Sequence, residues 1–487
     1  MHRALLRRLG ALAVGGSIVA TLYALSAPRW PDDWDGIGFI SSMQRLDLDR
    51  FTPHPPGYPV YVVLLRASAA VFGRGVTAAN AVAVASGVAV VLLAAAAAGR
   101  TWGARQAVAV GAALAVTPLV WRSCSGVGSE APALAFTSLA LFGMATFHGA
   151  RSGAARSASA ATIGIAVGLA LGVRLSWAPG LLLLLVVGPR AARARAAAWA
   201  TLASLAWAVP LAAIVGPSHL AALLQTHAEG HLHRWGGTIL AAPEAPRATM
   251  FARAIFVDGL GIDATALGIA IALSALSLVA TALRWRAERF ALAWRFALPL
   301  LAYAAWVYLG QNIAEQPRHL LPVVAALAFM VGIAATASRV TAALGVTLLV
   351  LLAVRGAGDA AARRTAPPPG ASLVADVERL TALSSPEGCS AAAPCVVAFG
   401  GRSARFFELS GTPASGRTAG SLGDVLLELG RLPRPPRRVL VTNELEGLTA
   451  STFALAPFAT HCRPERLQRK SPCLEVYELR APFLLPP

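Results

Sequence analysis

Long apolar segments alternate with short polar segments along roughly the first three quarters of this chain. Many of the apolar runs approach the ~20 residues that an α-helix needs to cross a bilayer. We predict spans at approximately 9–28, 76–98, 104–121, 130–149, 158–174, 176–189, 196–216, 262–283, 294–311, 318–338 and 340–355. The shortest of these is 176–189. This pattern excludes a soluble globular protein.

The segment 57–73 is apolar but short, and it carries Arg66 in its middle. The arginine clusters of the loops decide its placement: they are Arg100/Arg105, Arg151/Arg156, Arg190/Arg193/Arg195 and Arg284/Arg286/Arg289. If 57–73 crossed the membrane, all four clusters would face outward. If it lies on the outer surface as an interfacial helix, all four face the cytoplasm, as the positive-inside rule requires. We therefore predict a cytoplasmic N-terminus and eleven spans.

The composition changes after residue 355. A proline-rich linker at 356–370 leads into a tail, 371–487, with the patterning of a soluble domain. Strands are predicted at 396–399, 438–442 and 474–477, and helices at 374–385 and 421–431. The predicted fold is an α-helical polytopic membrane protein, 1–355, with a small C-terminal extracytoplasmic α/β domain. Its first external loop with the interfacial helix is 29–75, and a larger external loop is 217–260.

Composition and charge agree with a membrane protein. The 487 residues are 56% hydrophobic and 14% charged, and the mean hydropathy is +0.61. The net charge of +18 comes almost wholly from arginine. A nucleic-acid partner would be one interpretation of so basic a chain. The arginines lie in short clusters between apolar spans, however, which indicates membrane lipids as partners and no nucleic acid.

Four of the five cysteines, Cys389, Cys395, Cys462 and Cys473, fall in the tail. An even number on the oxidising side of a membrane is typical of disulfides. Three pairings are possible, and we predict the local 389–395 and 462–473 bridges. A zinc site is the alternative, although no Cys-x-x-Cys or neighbouring histidine pair supports it.

Residues 51–59 read Phe-Thr-Pro-His-Pro-Pro-Gly-Tyr-Pro and follow an acidic segment. The prolines exclude both a helix and a central strand, so a rigid loop is predicted. Asp35-x-x-x-Phe39 followed by His54-Pro-Pro-Gly resembles the first external loop of GT-C glycosyltransferases, and protein O-mannosyltransferases with their bacterial relatives are the nearest match. The resemblance covers roughly 1–355. It implies an integral-membrane enzyme that uses a polyprenyl-phosphate sugar donor.

Sugar transfer needs a carboxylate that takes the acceptor's proton. The resemblance implies that Asp35 is this base, with Asp33 and Asp32 beside it at the acceptor. Three close acids repel, so at least one should have a raised pKa or a cationic partner. Members of the resembling family often have an acid at the position of Gly38. A role that requires a second carboxylate in this turn is therefore not expected here. A solvated acidic cap at the end of a span is the competing interpretation.

The departing phosphate needs cations, and Arg174 and Arg318 at the outer ends of spans are the candidates. Arg318 lies in Pro-Arg-His-Leu-Leu-Pro, residues 317–322, which is similar to the Pro-Arg-Tyr-x-x-Pro element of many GT-C proteins, with His319 in place of the tyrosine. Glu130 corresponds to an acid of the second external loop that lines the GT-C active site. The alternatives are arginines that snorkel to headgroups and a carboxylate that stabilises a helix dipole.

The external loops supply the remaining candidates. His54 is predicted to contact the donor phosphate or the acidic segment, with Tyr58 beside it in the loop. The loop 217–260 is predicted to cover the acceptor entrance, with Trp235 at the membrane interface. It contains His227, His231 and His233. Histidines at this spacing could instead bind a metal. Asp33-Trp-Asp35 likewise resembles a metal-binding pair, but enzymes with this loop generally work without a metal, so no cofactor is predicted.

The predicted function is a glycosyltransferase of the bacterial inner (plasma) membrane that moves a mannose-like or other sugar to an unidentified acceptor, with inversion. The acceptor could be protein, lipid or glycan. A transporter of lipids or lipid-linked sugars is the alternative from another class. A transporter is expected to have charged residues deep inside its spans, whereas the polar residues here concentrate at one face.

The predicted topology is tested by cysteine accessibility. Substitutions at Ala104 and Arg193 should react with an impermeant thiol reagent from the cytoplasmic side, and those at Pro53 and Gly420 from the outer side. Labelling of position 193 from outside would contradict the eleven-span topology.

Overall fold

The computed structural model describes residues 2–234, 238–240, 246–262, 287–313, 316–383, 394–410, 415–446, 448, 455–463 and 472–479. The chain divides into two compact units. The helical unit comprises Met1–Pro28 and Ser42–Ala362, and the α/β unit comprises Arg29–Ser41 and Arg363–Pro487.

The helices are numbered along the described chain. They are α1 His2–Leu25, α2 Trp34–Ser41, α3 Pro59–Phe72, α4 Val76–Thr101, α5 Ala104–Val116, α6 Pro118–Ser125, α7 Glu130–Gly149, α8 Gly153–Val173, α9 Ala178–Val187, α10 Arg193–Val215, α11 Pro217–Glu229, α12 Arg247–Arg253, α13 Ala287–Gly310, α14 Leu321–Ala334, α15 Arg339–Thr365, α16 Pro369–Leu383, α17 Phe407–Ser410 and α18 Leu422–Gly430. The strands are β1 Val396–Gly400, β2 Gly416–Thr418, β3 Arg438–Thr442, β4 Leu455–Cys462 and β5 Cys473–Leu479.

Several helices match the predicted spans. Within the described residues, six helical segments are long and apolar enough to cross a membrane, or seven if α5 and α6 form one broken span. Shorter apolar helices lie at Leu12–Leu25, Pro59–Phe72, Leu175–Val187 and Ala297–Gly310. The predicted span 262–283 lies almost wholly outside the described residues. The structure therefore supports a membrane protein with several spans and supports the number eleven only in part.

The predicted span 104–121 is broken. Helices α5 and α6 meet at an angle of 69°. Thr117 between them has extended backbone angles, φ −67° and ψ 123°, because the ring of Pro118 disfavours a helical conformation at the preceding residue.

Small residues let the helices of the helical unit approach closely. Gly164 and Gly168 of α8 face the backbone of α10 at Ala196 and Ala200, where an added Cβ would overlap the carbonyl oxygens. Close approach through small residues is the usual way that helices associate in a bilayer, where lipid tails are as apolar as the side chains.

The α/β unit contains a five-stranded sheet with the order β2-β1-β3-β5-β4. Strand β1 is parallel to β2 and β3, and β5 is antiparallel to β3 and β4. One face packs against α16 through Leu373 and Val377, and the other includes Leu422 and Val425 of α18 in its core. Strands β1, β3 and β5 lie where the sequence predicts them, whereas β2 and β4 were not predicted.

The segment 29–41 belongs to the α/β unit, not to the membrane domain as the predicted boundaries have it. Ile37 of α2 is fully buried in the core that also contains Leu373, Phe406 and Leu440. Trp30 packs on Phe406 with ring centroids 6.2 Å apart. The reason is apolar burial: five consecutive residues of α2, 36–40, are buried.

The predicted linker 356–370 is also different in the structure. Helix α15 extends into this segment and ends at Thr365, because the alanine-rich sequence from 356 onward contains no proline before Pro367. The α/β unit begins within this helix, at Arg363.

Cys462 and Cys473 form a disulfide that joins the end of β4 to the start of β5. Cys395 is also disulfide-bonded, and its expected partner Cys389 lies outside the described residues. Cys124 is a buried free thiol.

Candidate active site

A buried cluster of charged side chains lies at the start of α7 in the helical unit. The Oε1 atom of Glu130 is 2.8 Å from Nη1 of Arg174 and 3.3 Å from Nε of Arg318. The side chains of Glu130 and Arg174 are 5% and 6% exposed, whereas that of Arg318 is 21% exposed. One carboxylate therefore holds two guanidinium groups, one of them buried and the other accessible.

Arg174 makes two further contacts. It donates to the Ser129 hydroxyl at 2.8 Å and to Nδ1 of His319 at 3.1 Å. Because a guanidinium only donates, Nδ1 of His319 must be the unprotonated acceptor, and a neutral His319 carries its proton on Nε2. The backbone carbonyl of His319 accepts a hydrogen bond of 2.7 Å from the Tyr303 hydroxyl.

The cluster forms where three apolar helices begin or end. Glu130 is the first residue of α7. Arg174 follows α8 in an extended conformation, φ −152° and ψ 92°, and Arg318 and His319 lie in the 3-10 turn Pro317–Leu320 that precedes α14. Helix ends leave backbone groups to be satisfied, and the carboxylate of Glu130 is favourably placed at the positive end of the α7 dipole.

The structure thus brings together Glu130, Arg174, Arg318 and His319, all of which the sequence singles out. It adds Ser129 and Tyr303, which sequence reasoning missed. Ser129 could have been found because it directly precedes Glu130, whereas Tyr303 lies in an apolar helix and gives no such signal. With two arginines and one glutamate, the cluster carries an excess positive charge that suits a phosphate.

The proline loop has a defined conformation. Asp47 and Thr52 exchange two backbone hydrogen bonds of 2.8 Å across its base, and Thr52–Pro53 and Pro55–Pro56 are cis. Tyr58 adopts the left-handed conformation at φ 49°, just before α3 begins at Pro59. Its hydroxyl lies 2.7 Å from Nε2 of His54.

His54 of the proline loop and the histidines of the segment 217–234 contact each other within the helical unit. The ring of His54 stacks on that of His227, with centroids 5.5 Å apart. Nε2 of His227 is 3.1 Å from Nε2 of His231. Among the described residues, no group of three His, Cys, Asp or Glu side chains is arranged to hold a metal ion. Trp235 lies outside the described residues.

Helix α3 links the proline loop to the segment that precedes α7. Tyr61, one turn after Tyr58, is fully buried. Its hydroxyl accepts a hydrogen bond of 3.2 Å from the Gly128 backbone N–H, two residues before Glu130. The position of the His54 loop is therefore coupled, through one short helix, to the segment that carries the buried glutamate.

The three carboxylates of the acidic segment lie in the α/β unit and have different surroundings. Asp32 pairs with Arg363 and Arg463. Oδ1 of Asp33 accepts from the Gly36 N–H at 3.0 Å and so caps the start of α2. Asp35 is partly exposed in the first turn of that helix. The cationic partners that three neighbouring acids require are thus found at Asp32.

Trp34 lies between Asp33 and Asp35, and two arginines of the α/β unit contact its ring. The guanidinium carbons of Arg402 and Arg405 are 5.4 Å and 5.8 Å from the ring centroid. These are within the range of cation–π contacts. Sequence reasoning missed both arginines as neighbours of the acidic segment.

Comparison with solved structures identifies the fold. ArnT from Cupriavidus metallidurans bound to undecaprenyl phosphate superposes with a TM-score of 0.60 and 15% sequence identity, over 98% of this chain and 99% of ArnT. The apo state of the same protein gives 0.58. The Archaeoglobus fulgidus oligosaccharyltransferase with zinc and sulfate gives 0.52 at 14% identity, over 88% of this chain and 67% of that one. The fold therefore resembles that of these GT-C membrane proteins.

The resemblance is confined to structure. The sequence matches no protein-family model and no curated protein. At identities of 14–15%, the likeness to these structures concerns the fold alone. It assigns neither a substrate nor the role of any residue to this chain.

The buried pair of Glu130 and Arg174 can be tested through stability. Arg174→Met should destabilise the helical unit by about 3–5 kcal/mol, because it leaves a buried carboxylate without its main cationic partner. Thermal unfolding in detergent measures the effect. The double variant Glu130→Gln/Arg174→Met should recover part of the loss.

A matched control is Arg431→Met, which removes an exposed ion pair with Glu428 whose arginine is 73% exposed. Its cost should be about 1 kcal/mol or less. Equal stability of Arg174→Met and the wild-type protein would contradict a buried, mutually dependent pair.

Proposed function

We propose that the protein is a glycosyltransferase that moves a sugar, a hexose such as mannose, from a polyprenyl-phosphate donor to an acceptor at the outer face of the membrane. The observation that carries the proposal is the pair of arginines, Arg174 and Arg318, held by the buried Glu130 in a protein with the GT-C fold. The inner membrane of a bacterium is the proposed location.

The neighbours support the class of donor. ArnT was solved with undecaprenyl phosphate bound, and the archaeal neighbour is an oligosaccharyltransferase. A lipid phosphate needs a cationic site at the end of an apolar bundle, where the polyprenyl chain stays in lipid. The arginine cluster at the ends of α7, α8 and α14 has this character.

Arg318 is the proposed direct contact of the donor phosphate, because it is the more exposed of the two guanidinium groups. Arg174 is proposed to act with it while keeping Glu130 and His319 in place. A planar guanidinium can donate two parallel hydrogen bonds to phosphate oxygens. His54, in the rigid proline loop, is proposed as a further donor to the phosphate.

The proposed reaction is a single displacement. An acceptor oxygen attacks the anomeric carbon while the bond from that carbon to the phosphate oxygen breaks, which inverts the configuration. The acceptor's proton passes to the Asp35 carboxylate, and the phosphate leaves on its lipid with the bond electrons. Asp35 is proposed for this role because the resemblance of the first external loop implies a catalytic acid at this position, in the first turn of α2. Its side chain is partly exposed, as are those of Asp32 and Asp33.

Asp35→Asn tests the base. The amide keeps the size of the side chain but removes nearly all basicity, so turnover should fall by at least ~10²-fold, the low end for general base catalysis. Donor binding should change little. Transfer of a radiolabelled sugar from its polyprenyl phosphate, measured at saturating donor, gives the turnover.

Arg318→Ala is the matched comparison, because it should affect donor binding more than turnover. It should weaken donor binding by roughly 1.5–3 kcal/mol, the value of a charge-assisted hydrogen bond. Near-wild-type turnover in folded Asp35→Asn protein would assign the base to Asp33, Asp32 or Glu130, or would reject the transferase.

A further inference from the structure

Asp32 is held by two arginines that lie far from it along the chain. Its Oδ2 is 2.7 Å from Nη2 of Arg363, and its Oδ1 is 2.9 Å from Nη2 of Arg463. Nε of Arg363 makes a further contact with Oδ1 at 3.3 Å. Both carboxylate oxygens therefore accept hydrogen bonds from guanidinium groups, and all three residues belong to the α/β unit.

The burial of the two arginines makes this arrangement rigid. The side chains of Arg363 and Arg463 are 1% and 0% exposed. Removing the carboxylate partner of a buried guanidinium is strongly unfavourable, so the pairing holds both arginines and Asp32 in place. Arg463 also donates to backbone carbonyls, that of Asp32 at 3.4 Å and that of Ala366 at 3.1 Å. It thus fixes the backbone of the acidic segment as well as one side chain.

Arg463 is itself fixed by the sheet. It directly follows Cys462, which is bonded to Cys473, and its backbone N–H donates to the Pro472 carbonyl at 2.8 Å. The disulfide at the preceding residue and this hydrogen bond of Arg463 itself therefore join the end of β4 to the start of β5. Arg363 lies in the last turns of α15, so the two cationic groups reach Asp32 from independent elements.

The acidic segment is held at two further points. Asp33 caps α2, and Ile37 is buried in the core of the α/β unit. Asp35 lies between these points, three residues after Asp32. With the segment fixed on both sides of it, the position of the Asp35 carboxylate follows from contacts that this unit provides.

We infer that Arg363 and Arg463, through Asp32, are positioning residues for Asp35, and that holding this acidic segment is the function of the α/β unit. The inference rests on the proposed function, in which Asp35 takes the acceptor's proton. Neither arginine touches a substrate in this account. Their effect is on turnover, because a catalytic group displaced by about 1 Å can lose about 10²-fold in rate.

The test uses Arg463→Gln in the full chain, with hydrogen exchange and transfer measured on the same preparation. Asp32 keeps Arg363 in this variant, so the unit has a buried pair left. The amides of 33–39 should exchange about tenfold faster or more, since the lost hydrogen bonds are charge-assisted. Those of β1 and β3 should keep their wild-type exchange. Turnover should fall by 10- to about 100-fold with the KM for donor unchanged.

Coupling to Asp35 separates positioning from general damage. In an Asp35→Asn background, Arg463→Gln should cause little further loss, because the group that it positions no longer works. A purely structural role would lower turnover by the same factor in both backgrounds. Arg463→Lys, which keeps the charge but not the planar fork, should retain more turnover than Arg463→Gln and serves if the latter does not fold.

Arg431→Gln is the control, an exposed arginine of the same unit paired with Glu428 at 2.6 Å. It should change neither exchange nor turnover. If the amides of 33–39 exchange at the wild-type rate in Arg463→Gln, the inference is wrong whatever the transfer activity. It is also wrong if these amides exchange faster while turnover stays unchanged. A wild-type protein with no transfer, but with the expected exchange difference, would instead refute the proposed function and leave the anchoring of the segment by Arg463 established.

Discussion

The helical unit depends on neutralising one buried carboxylate. Glu130 begins an apolar helix with only 5% of its side chain exposed, and an isolated charge there would be very costly. Arg174 compensates it at 2.8 Å and is in turn held by Ser129 and His319. These contacts require the start of α7, the end of α8 and the turn before α14 to meet. The second cation, Arg318, shares the same carboxylate and is 21% exposed. The cluster of two arginines and one glutamate therefore has a net positive charge, and part of it is accessible.

The α/β unit applies the same rule at Asp32. Two almost fully buried arginines share one carboxylate, so the pairing is obligatory and fixes a segment that comes from the other end of the chain. The neighbouring acids have different surroundings: Asp32 is an ion-pair partner, Asp33 caps a helix and Asp35 lies in the first turn of α2. Three carboxylates can stand within four positions because two guanidinium groups compensate the charge of Asp32.

The sequence predicts much of the site because few charged residues lie at the span ends that are predicted to face outward, opposite the arginine clusters. Glu130, Arg174 and Arg318 stand out for this reason, and His319 through its neighbour. Pro118 also indicates the break at Thr117, since a proline disfavours a helical conformation at the residue before it, but the predicted span 104–121 did not include this break. By contrast, the partners of Asp32 lie 331 and 431 residues away, and nothing local marks them. The assignment of 29–41 to the α/β unit was not predicted, because the sequence of a short apolar helix does not indicate which hydrophobic core it packs into. Strand β4 has no fully buried residue, so its pattern of alternation is weak.

In the proposed reaction the sugar leaves a polyprenyl phosphate by covalent transfer. Purified protein in proteoliposomes, given a polyprenyl-phosphate sugar with label in both the sugar and the lipid, tests this most directly. We expect labelled sugar to appear on the acceptor while an equal amount of free polyprenyl phosphate accumulates. Movement of the intact donor between leaflets, with its sugar–phosphate bond unbroken, would refute the glycosyltransferase and identify a transporter.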